Sequence, residues 1–465
     1  MLKMNFFLYL LLVGVNFLMA ISGRIPANPH KNVILETTLP KDKLKDEQVL
    51  AICKSYKKNL LQWAVIFSVI ALPIIIIPYD SLTLIYFIIQ LFGFIGTSFY
   101  LQVIYIRKMT TLKVQNNWTL PTSPILVDTK LVANKNRKLI SIWWFLPSIF
   151  ITLSGCIYSI KTLGLSNGTW IISLISILMT GMFLLFYYFI ARFPVKPVTS
   201  DETINQNVND QMRHHWSVLM AVSSIVLSPL AFMPISSVMV PYERMMLFSI
   251  GYAVLILAFV IFTFYYLFSS RKKQDQLIVQ AKEYRYSDED QYWKYGVYMN
   301  PNDKRIMVPD RIGMNISVNL GRPVGKLTLG VTGVLVLIAL IAASIPMLIS
   351  DFSTNPFELA TTNDGISLSA PLSQRKQIDW NDIESVELVD SLPKDKLRIY
   401  GTATENYLTG EFQVHSEPAY LLVLTDKKPI LKITTKDKLY YYTNKDSELT
   451  KQDYRTIQKH QGKQR

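Results

Sequence analysis

The 465-residue chain is poor in the side chains that most chemistry needs: it has two cysteines and five histidines, and its long apolar runs carry no charge in their interiors. Each shortage excludes something. Cys53 precedes the second apolar run and Cys156 lies well inside the fourth, so a disulfide between an aqueous and a membrane-depth thiol is not expected. His214 and His215 are adjacent, and neighbours on a helix diverge by about 100°, which does not suit a shared metal ion. Without Asp, Glu, Lys, Arg or His at mid-bilayer depth, the usual trace of ion coupling or intramembrane catalysis is missing. Gln90, one of the few strongly polar side chains there, reads as a helix-packing hydrogen-bond former. No Walker loop, Gly-x-Ser-x-Gly elbow, His-Glu-x-x-His motif or CxxC pair occurs. No catalytic, cofactor-binding or metal-ligating residue is therefore assigned, and no cofactor is expected.

Apolar length, by contrast, is abundant. Half of the chain is hydrophobic and 18% is charged. Eight runs meet the requirement of roughly 20 apolar residues for a membrane-spanning helix: residues 5–23, 60–78, 81–105, 140–160, 170–191, 217–236, 246–269 and 327–350. Trp143, Trp144, Trp170 and Trp216 lie at the starts of runs, where amphipathic rings favour the headgroup level. The fold class is an α-helical polytopic membrane protein of about eight spans, followed by a β-rich soluble domain.

The net charge of +14 belongs to one part of the chain. Residues 1–350 hold 32 Lys/Arg against 17 Asp/Glu, whereas residues 351–465 hold 16 against 17. An excess confined to the neighbourhood of apolar runs reads as a topology signal and an attraction to anionic lipid, not as a nucleic-acid surface. Alternate connections carry 29 and 3 basic residues. Positive connections stay in the cytoplasm, so the N-terminus and the C-terminal domain are expected outside a plasma membrane. A cleaved signal peptide is the alternative for the first run, with Lys3 before it and Ala20-Ile21-Ser22 near its end. Cleavage would export the basic stretch that follows, against the charge count.

Residues 351–375, with Ser353, Thr354, Asn355, Pro356, Thr361, Thr362, Asn363 and Gly365, read as a linker and a turn. Seven short β-like runs follow, near Ile378, Ser385–Val389, Leu397–Tyr400, Glu411–Val414, Tyr420–Leu424, Ile430–Thr434 and Leu439–Tyr442. A closing helix over Asp446–Lys459 has Asp446 or Ser447 to cap it and Leu449, Tyr454 and Ile457 to pack.

Two connections carry more pattern than a tether needs. In the first, Leu50, Cys53, Tyr56 and Leu60 recur at helical spacing among lysines, an amphipathic helix leading into the second span. In the last, the stretch from Trp293 to Gly313 contains a strong turn, Asn300-Pro301-Asn302-Asp303. Ile312, Met314, Ile316, Val318 and Leu320 then alternate with small or polar residues, predicting a strand with one apolar face. The candidate interaction residues are Trp293, Gly296, Tyr298, Asn300, Pro301, Asp303, Arg305, Pro309, Arg311 and Gly313, as a docking element for a partner or lipid or as an ordered loop that positions the last span.

The pattern Trp-Lys-x-Gly-x-Tyr-x-Asn-Pro-x-Asp-x-Arg-x-x-Val-Pro-x-Arg-x-Gly at Trp293–Gly313 resembles an uncharacterised domain of multispanning membrane proteins of Gram-positive bacteria. The stretch from Leu39-Pro40 to Tyr56-Lys57 is similar to the first loop of those proteins. Some relatives are grouped with toxin-immunity membrane proteins, whose Pro-x-His signature is not evident here. Asp379-Trp380-Asn381-Asp382-Ile383, Arg398-Ile399-Tyr400-Gly401, Gly410-Glu411-Phe412 and Tyr441-Tyr442-Thr443-Asn444 resemble bacterial pleckstrin-homology-like (PH-like) domains, implying a seven-stranded barrel with a C-terminal helix. Neither resemblance brings a catalytic residue.

The expected organisation is a transmembrane region (1–270), a loop domain (271–326), a last span (327–350), a linker (351–375) and a PH-like domain (376–465). The expected role is that of a bacterial plasma-membrane sensor or scaffold, with membrane lipids as partners and a protein or peptide engaged by the C-terminal domain. A transporter or channel, a toxin-immunity-like protein and a membrane-embedded enzyme are the alternatives.

Overall fold

A computed structural model describes the chain except for Met1, Thr119, 121–128, Ser166, Lys196, 237–241, 282–288, 372–374, Glu405, Ser416 and Arg465. Eight helical segments among the described residues are long and apolar enough to cross a membrane. They are built on α1 (Leu2–Ser22), α2 (Glu47–Ile70), α3 (Asp80–Gln115), α5 (Leu146–Leu163), α6 (Asn167–Arg192), α7 (Glu202–Leu227), α8 (Tyr242–Val279) and α9 (Pro323–Phe352). A short α4 (Thr129–Ala133) lies between α3 and α5. Each run expected to span is found.

Three helices extend well past the expected edges: α3 to Gln115, α7 from Glu202 and α8 to Val279. All three extensions lie at the end that carries the basic connections. Hydropathy ends where lipid ends, but these helices continue because their polar turns pair with side chains of the connections. Arg137 donates to Asp210 at 2.7 Å, for example, and Lys113 to Asp290 at 2.7 Å.

The element order of the helical region repeats. Helices α1, α2, α3 and α5 correspond in order and direction to α6, α7, α8 and α9. In each unit the second helix starts with an Asp N-cap followed by Glu. Asp46 accepts the Gln48 amide, and Asp201 accepts the amides of Thr203 and Ile204. In each it ends in a proline-containing 3-10 turn, Leu72–Ile75 or Ser228–Ile235. In each it also satisfies the carbonyls left open at the end of the first helix. Tyr56 donates to Gly23 O at 2.8 Å, and the fully buried Arg213 donates to the carbonyls of Ile190, Ala191 and Phe193. The fourth helices are exchanged: α9 packs along α3, and α5 packs on α6, α7 and the 228–235 turn.

Helix α2 buries Val49, Cys53, Tyr56, Leu60 and Ala64. The expected row, Leu50, Cys53, Tyr56 and Leu60, is spaced three, three and four; the buried row starts one residue earlier and opens with a spacing of four. Leu50 is 51% exposed, because Val49 is the residue in phase with Cys53. Cys53 and Cys156 are both buried free thiols. The rings of His214 and His215 diverge, with His214 exposed and His215 buried and stacked on Tyr266. Gln90 donates to Tyr86, whose hydroxyl reaches Ile70 O on α2. Trp143 and Trp144 are 70% and 62% exposed beside the start of α5, as interfacial rings would be.

Beyond α9 the chain forms two antiparallel-rich sheets and a helix. The seven expected strands are present as β7 (Lys376–Asp379), β8 (Ile383–Val389), β9 (Lys396–Ala403), β10 (Tyr407–Val414), β11 (Glu417–Leu424), β12 (Ile430–Thr435) and β13 (Leu439–Tyr442). Two more, β5 (Glu358–Thr361) and β6 (Gly365–Ser369), lie in the stretch expected to be a linker. That expectation is corrected. The polar run Thr361–Gly365 is the hairpin turn between these strands, and the buried Phe357, Ile366 and Leu368 tie them to the domain core. The sheet orders are β5-β6-β7 and β8-β12-β13-β11-β10-β9, with β11 and β13 parallel. The closing helix α10 (Ser447–Gln464) is capped by Asp446 and buries Ile457 and Thr450. Leu449, expected to pack, is 36% exposed; Thr450 takes the inward place and accepts the Asn444 amide.

Candidate functional site

The last connection folds into a compact unit around one turn. Asn300 Oδ1 accepts the Asn302 amide at 3.0 Å, an Asx turn at the predicted position. Asp303 holds Arg305 through both carboxylate oxygens, with Nε at 2.9 and 2.8 Å. Burial works to raise the Asp303 pKa, but its hydrogen bonds with Arg305 hold it down at about 2. Tyr298 donates to Asp303 at 2.9 Å; burial first and this carboxylate second push its hydroxyl up to about 12. Trp293 packs on Tyr298 with ring centroids 5.2 Å apart, and both are buried. Gly296 turns the chain against Gln102 of α3.

The hub is Asn319, a residue the sequence pattern did not single out. It is fully buried. Its Nδ2 donates to the carbonyls of Asn300, Asp303 and Arg305 at 2.8, 3.2 and 3.2 Å. Its Oδ1 accepts the amides of Asn300 and Gly321, each at 3.0 Å. Gly321 is needed because a Cβ there would fall 2.4 Å from Asn300 C. The turn is thus fixed to the first residues of α9.

The long alternating strand expected over Ile312–Leu320 is corrected. Only β4 (Ile316–Val318) forms, antiparallel to β3 (Met307–Pro309). The intervening residues wrap Asp310, whose carboxylate accepts the amides of Gly313 at 2.5 Å and Met314 at 3.4 Å. Gly313 has φ +78°, and a Cβ on it would sit 2.8 Å from His30 Nε2. A captured loop wins over a strand because the Asp310 side chain offers these amides a local partner.

This unit is locked to the first connection, where β1 (Val33–Ile34) and β2 (Thr37–Thr38) form a hairpin. Asp290 joins three elements. It accepts the Thr38 amide and hydroxyl, the latter at 2.7 Å, and pairs with Lys113 of α3 at 2.7 Å and Arg311 at 2.8 Å. Burial works to raise its pKa, but Arg311 and Lys113 hold it below the usual carboxylate range. Arg311 also donates to Glu36 O at 2.8 Å and to Thr38 Oγ1. On α8, Asp275 accepts the Lys31 amide and lies 3.0 Å from His30 Nδ1, while Arg271 donates to Asn28 O. Burial pushes the His30 ring down to about 4 despite Asp275. Burial, with Asp310 nearby, pushes the Glu36 carboxyl up to about 8; its Oε2 is buried with no hydrogen-bond partner among the described residues.

A cavity of about 210 Å³ lies where this unit meets the first connection at Lys31, Val33 and Thr38, the connection before α7 at Pro194, Val195 and Val198, and the first turns of α7. Trp293, Arg305, Pro309 and Arg311 of the predicted set are in its wall. Gly296, Tyr298, Asn300, Pro301, Asp303 and Gly313 build the unit behind it. Asp275, Asp290, Asp310 and His30 were missed as site residues. The three aspartates were visible only as acids near basic residues, and His30 only as the neighbour of Lys31.

At the opposite end of the helices the tail is docked on α3 and α9. Lys445 donates to Asp351 O at 3.1 Å and to Ser353 O, at the carbonyl end of α9. Asp351 in turn accepts the Ser81 amide at 2.8 Å, at the start of α3. Tyr79 and Phe352 pack with centroids 4.7 Å apart.

Comparison with known families adds two matches. Residues 358–457 match the bacterial PH domain. The PH-like domain therefore begins at β5 and ends at the buried Ile457 of α10. Residues 301–326 match a family of unknown function, DUF5808, a stretch that runs from the Asn300–Asp303 turn through Asn319 into the first turn of α9. The chain matches no curated protein and no solved structure.

Proposed function

We propose that this membrane protein is a sensor or scaffold that couples an extracytoplasmic PH-like domain to the Trp293–Gly313 unit on the cytoplasmic side. One observation carries the reading: the same two helices end in both places. Helix α3 starts at the Ser81–Asp351 contact and ends at the Lys113–Asp290 pair. Helix α9 starts at the Asn319 hub and ends under Lys445. Rigid helices with both ends fixed are a physical route for transmitting displacement across a bilayer.

The sidedness rests on the basic connections, which gather at the end holding the Trp293–Gly313 unit. Reporter fusions at Arg107, at Ser200 and after Arg465 test it, with the first two expected inside and the last outside. The binding role is tested by in-cell crosslinking and mass spectrometry. Deleting residues 351–465 should abolish recovery of the protein or peptide partner, and unchanged recovery would sink the role.

A further inference from the structure

The internal repeat extends to the surface of the end that carries the basic connections. Aligned on Asp46-Glu47 and Asp201-Glu202, α2 and α7 bury the same positions: Val49 and Ile204, Cys53 and Val208, Leu60 and His215, Ala64 and Leu219. Aligned on Val114-Gln115 and Val279-Gln280, the ends of α3 and α8 match in the same way. Tyr105, Ile106 and Met109 are buried, as are Ser270, Arg271 and Gln274. Within this pattern each helix exposes an adjacent pair of cations, Arg107-Lys108 on α3 and Lys272-Lys273 on α8.

Each pair borders a groove between the second and third helices of its repeat. The first, of about 500 Å³, runs from Ile52 of α2 to Arg107, Lys108, Leu112 and Gln115 of α3. The second, of about 560 Å³, is lined by the counterparts Asn207 of α7 and Lys273, Leu277 and Gln280 of α8, with Arg137 and Lys138 added from the connection before α5. Arg107 and Lys108 lie over the Tyr295 and Tyr105 rings. Neither they nor Lys138 and Lys273 form an ion pair with a described residue. Among the described residues no acid lines the first groove. Asp210 lines the second, but Arg137 and Gln206 occupy its carboxylate, each at 2.7 Å. Each groove therefore keeps two positive charges without a partner.

Depth decides what can answer them. Both pairs lie two to four residues past apolar runs that end at 105 and 269, within about 6 Å of the hydrocarbon edge at the rise of a helix. Lys138 is as close to the run that starts at 140, and the exposed Trp143 and Trp144 mark the interface beside it. The anion available at that level is a lipid phosphate. A zwitterionic lipid brings its own ammonium against the two cations, whereas a phospholipid with an uncharged headgroup alcohol brings a net negative charge. We propose that the two grooves are matching sites for the phosphate of an anionic phospholipid, one in each repeat, held by Arg107 and Lys108 in the first and by Lys138 and Lys273 in the second. A lipid seated there bridges the second and third helices of its repeat. The inference goes beyond the sensor or scaffold reading and does not depend on it.

The test is native mass spectrometry of the purified, delipidated full chain in detergent, titrated with phosphatidylglycerol and, separately, with phosphatidylcholine. Two phosphatidylglycerols should bind saturably, each roughly tenfold or more tighter than phosphatidylcholine. Arg107→Gln/Lys108→Gln should lose one of them, and Lys138→Gln/Lys273→Gln the other. Lys41→Gln/Lys45→Gln removes the same charge from the first connection, outside both grooves, and should keep both. All six side chains are exposed, so the melting transitions should not move. Equal affinity for phosphatidylcholine, two lipids retained by either groove variant, or an equal loss in the Lys41/Lys45 variant overturns the proposal, the last by reducing the attraction to net charge. Displacement of the lipid by inorganic phosphate overturns it as well, since the grooves would then be sites for a free anion.

Discussion

At Gly313, Cα geometry and a neighbour's ring make the same demand. Its φ of +78° is costly for a side chain, and a Cβ would meet His30 Nε2 at 2.8 Å. Gly313→Ala should lower stability by roughly 1–3 kcal/mol, read as a fall in the thermal midpoint of the detergent-solubilised protein. Glu36 gives a prediction in pH. Its folded pKa of about 8 lies above its ordinary 4.5, so between those values the folded state keeps a proton that the unfolded state has released. Stability should fall as pH rises through that window, by at most about 1.4 kcal/mol per unit. His30, lowered from 6.5 to about 4, has the opposite slope below 6.5, and Asp310 titrates near 6. Lys31, lowered from 10.5 to about 8, adds the opposite slope above that value, so the range from about pH 6.5 to 7.5 is the one in which Glu36 dominates. Glu36→Gln keeps the neutral form and should flatten the thermal midpoint there; an unchanged slope would assign it to another group.

Among the elements, Asp290 is a three-way junction, since it ties α3, the first hairpin and Arg311 together. Removing it leaves two cations facing each other with little water between them. Asp290→Ala should cost about 3–5 kcal/mol, whereas Lys113→Met should cost less because Arg311 still neutralises the carboxylate. Equal losses in thermal midpoint would mean that Asp290 serves only α3.

The elements also divide what the sequence disclosed from what it hid. All eight spans and seven of the tail strands follow from apolar length and alternation, because burial in lipid or in a sheet leaves a periodic trace. β5 and β6 were hidden because their turn, Thr361–Gly365, has the composition of a linker. The strand expected at Ile312–Leu320 failed because Asp310 captures the loop amides, a competition that hydrophobic alternation does not register. The motif was visible as an oddity of composition. Its partners Asp275, Asp290 and Asn319 were not, since a long-range ion pair or a hub of side-chain hydrogen bonds has no periodicity. The internal repeat left a local sign, Asp-Glu at 46–47 and at 201–202, each opening a helix that ends at a proline turn.

For the whole molecule the question is whether its two ends communicate. Helix α9 has no buried residue in its apolar window and packs mainly along α3, so its position is set chiefly by its termini. One terminus is wedged under the Asn300 turn at Gly321 and Gly325. The other is held by Lys445 on its last carbonyls and by Asp351 reaching α3. Loosening the second should therefore loosen the first. In the double variant Asp351→Asn/Lys445→Met, hydrogen exchange should speed up near residue 351 and also at the amides of Asn319 and Leu320, which bond Ile306 O and Tyr298 O at the far end of the helix. Exchange in α5 and α7, which belong to the other packing unit, should stay as it was. If only the residues around Lys445 exchange faster, α9 transmits nothing and the PH-like domain is a tethered module. If the amides at 319 and 320 respond with it, the two helices shared by both ends are the link between them.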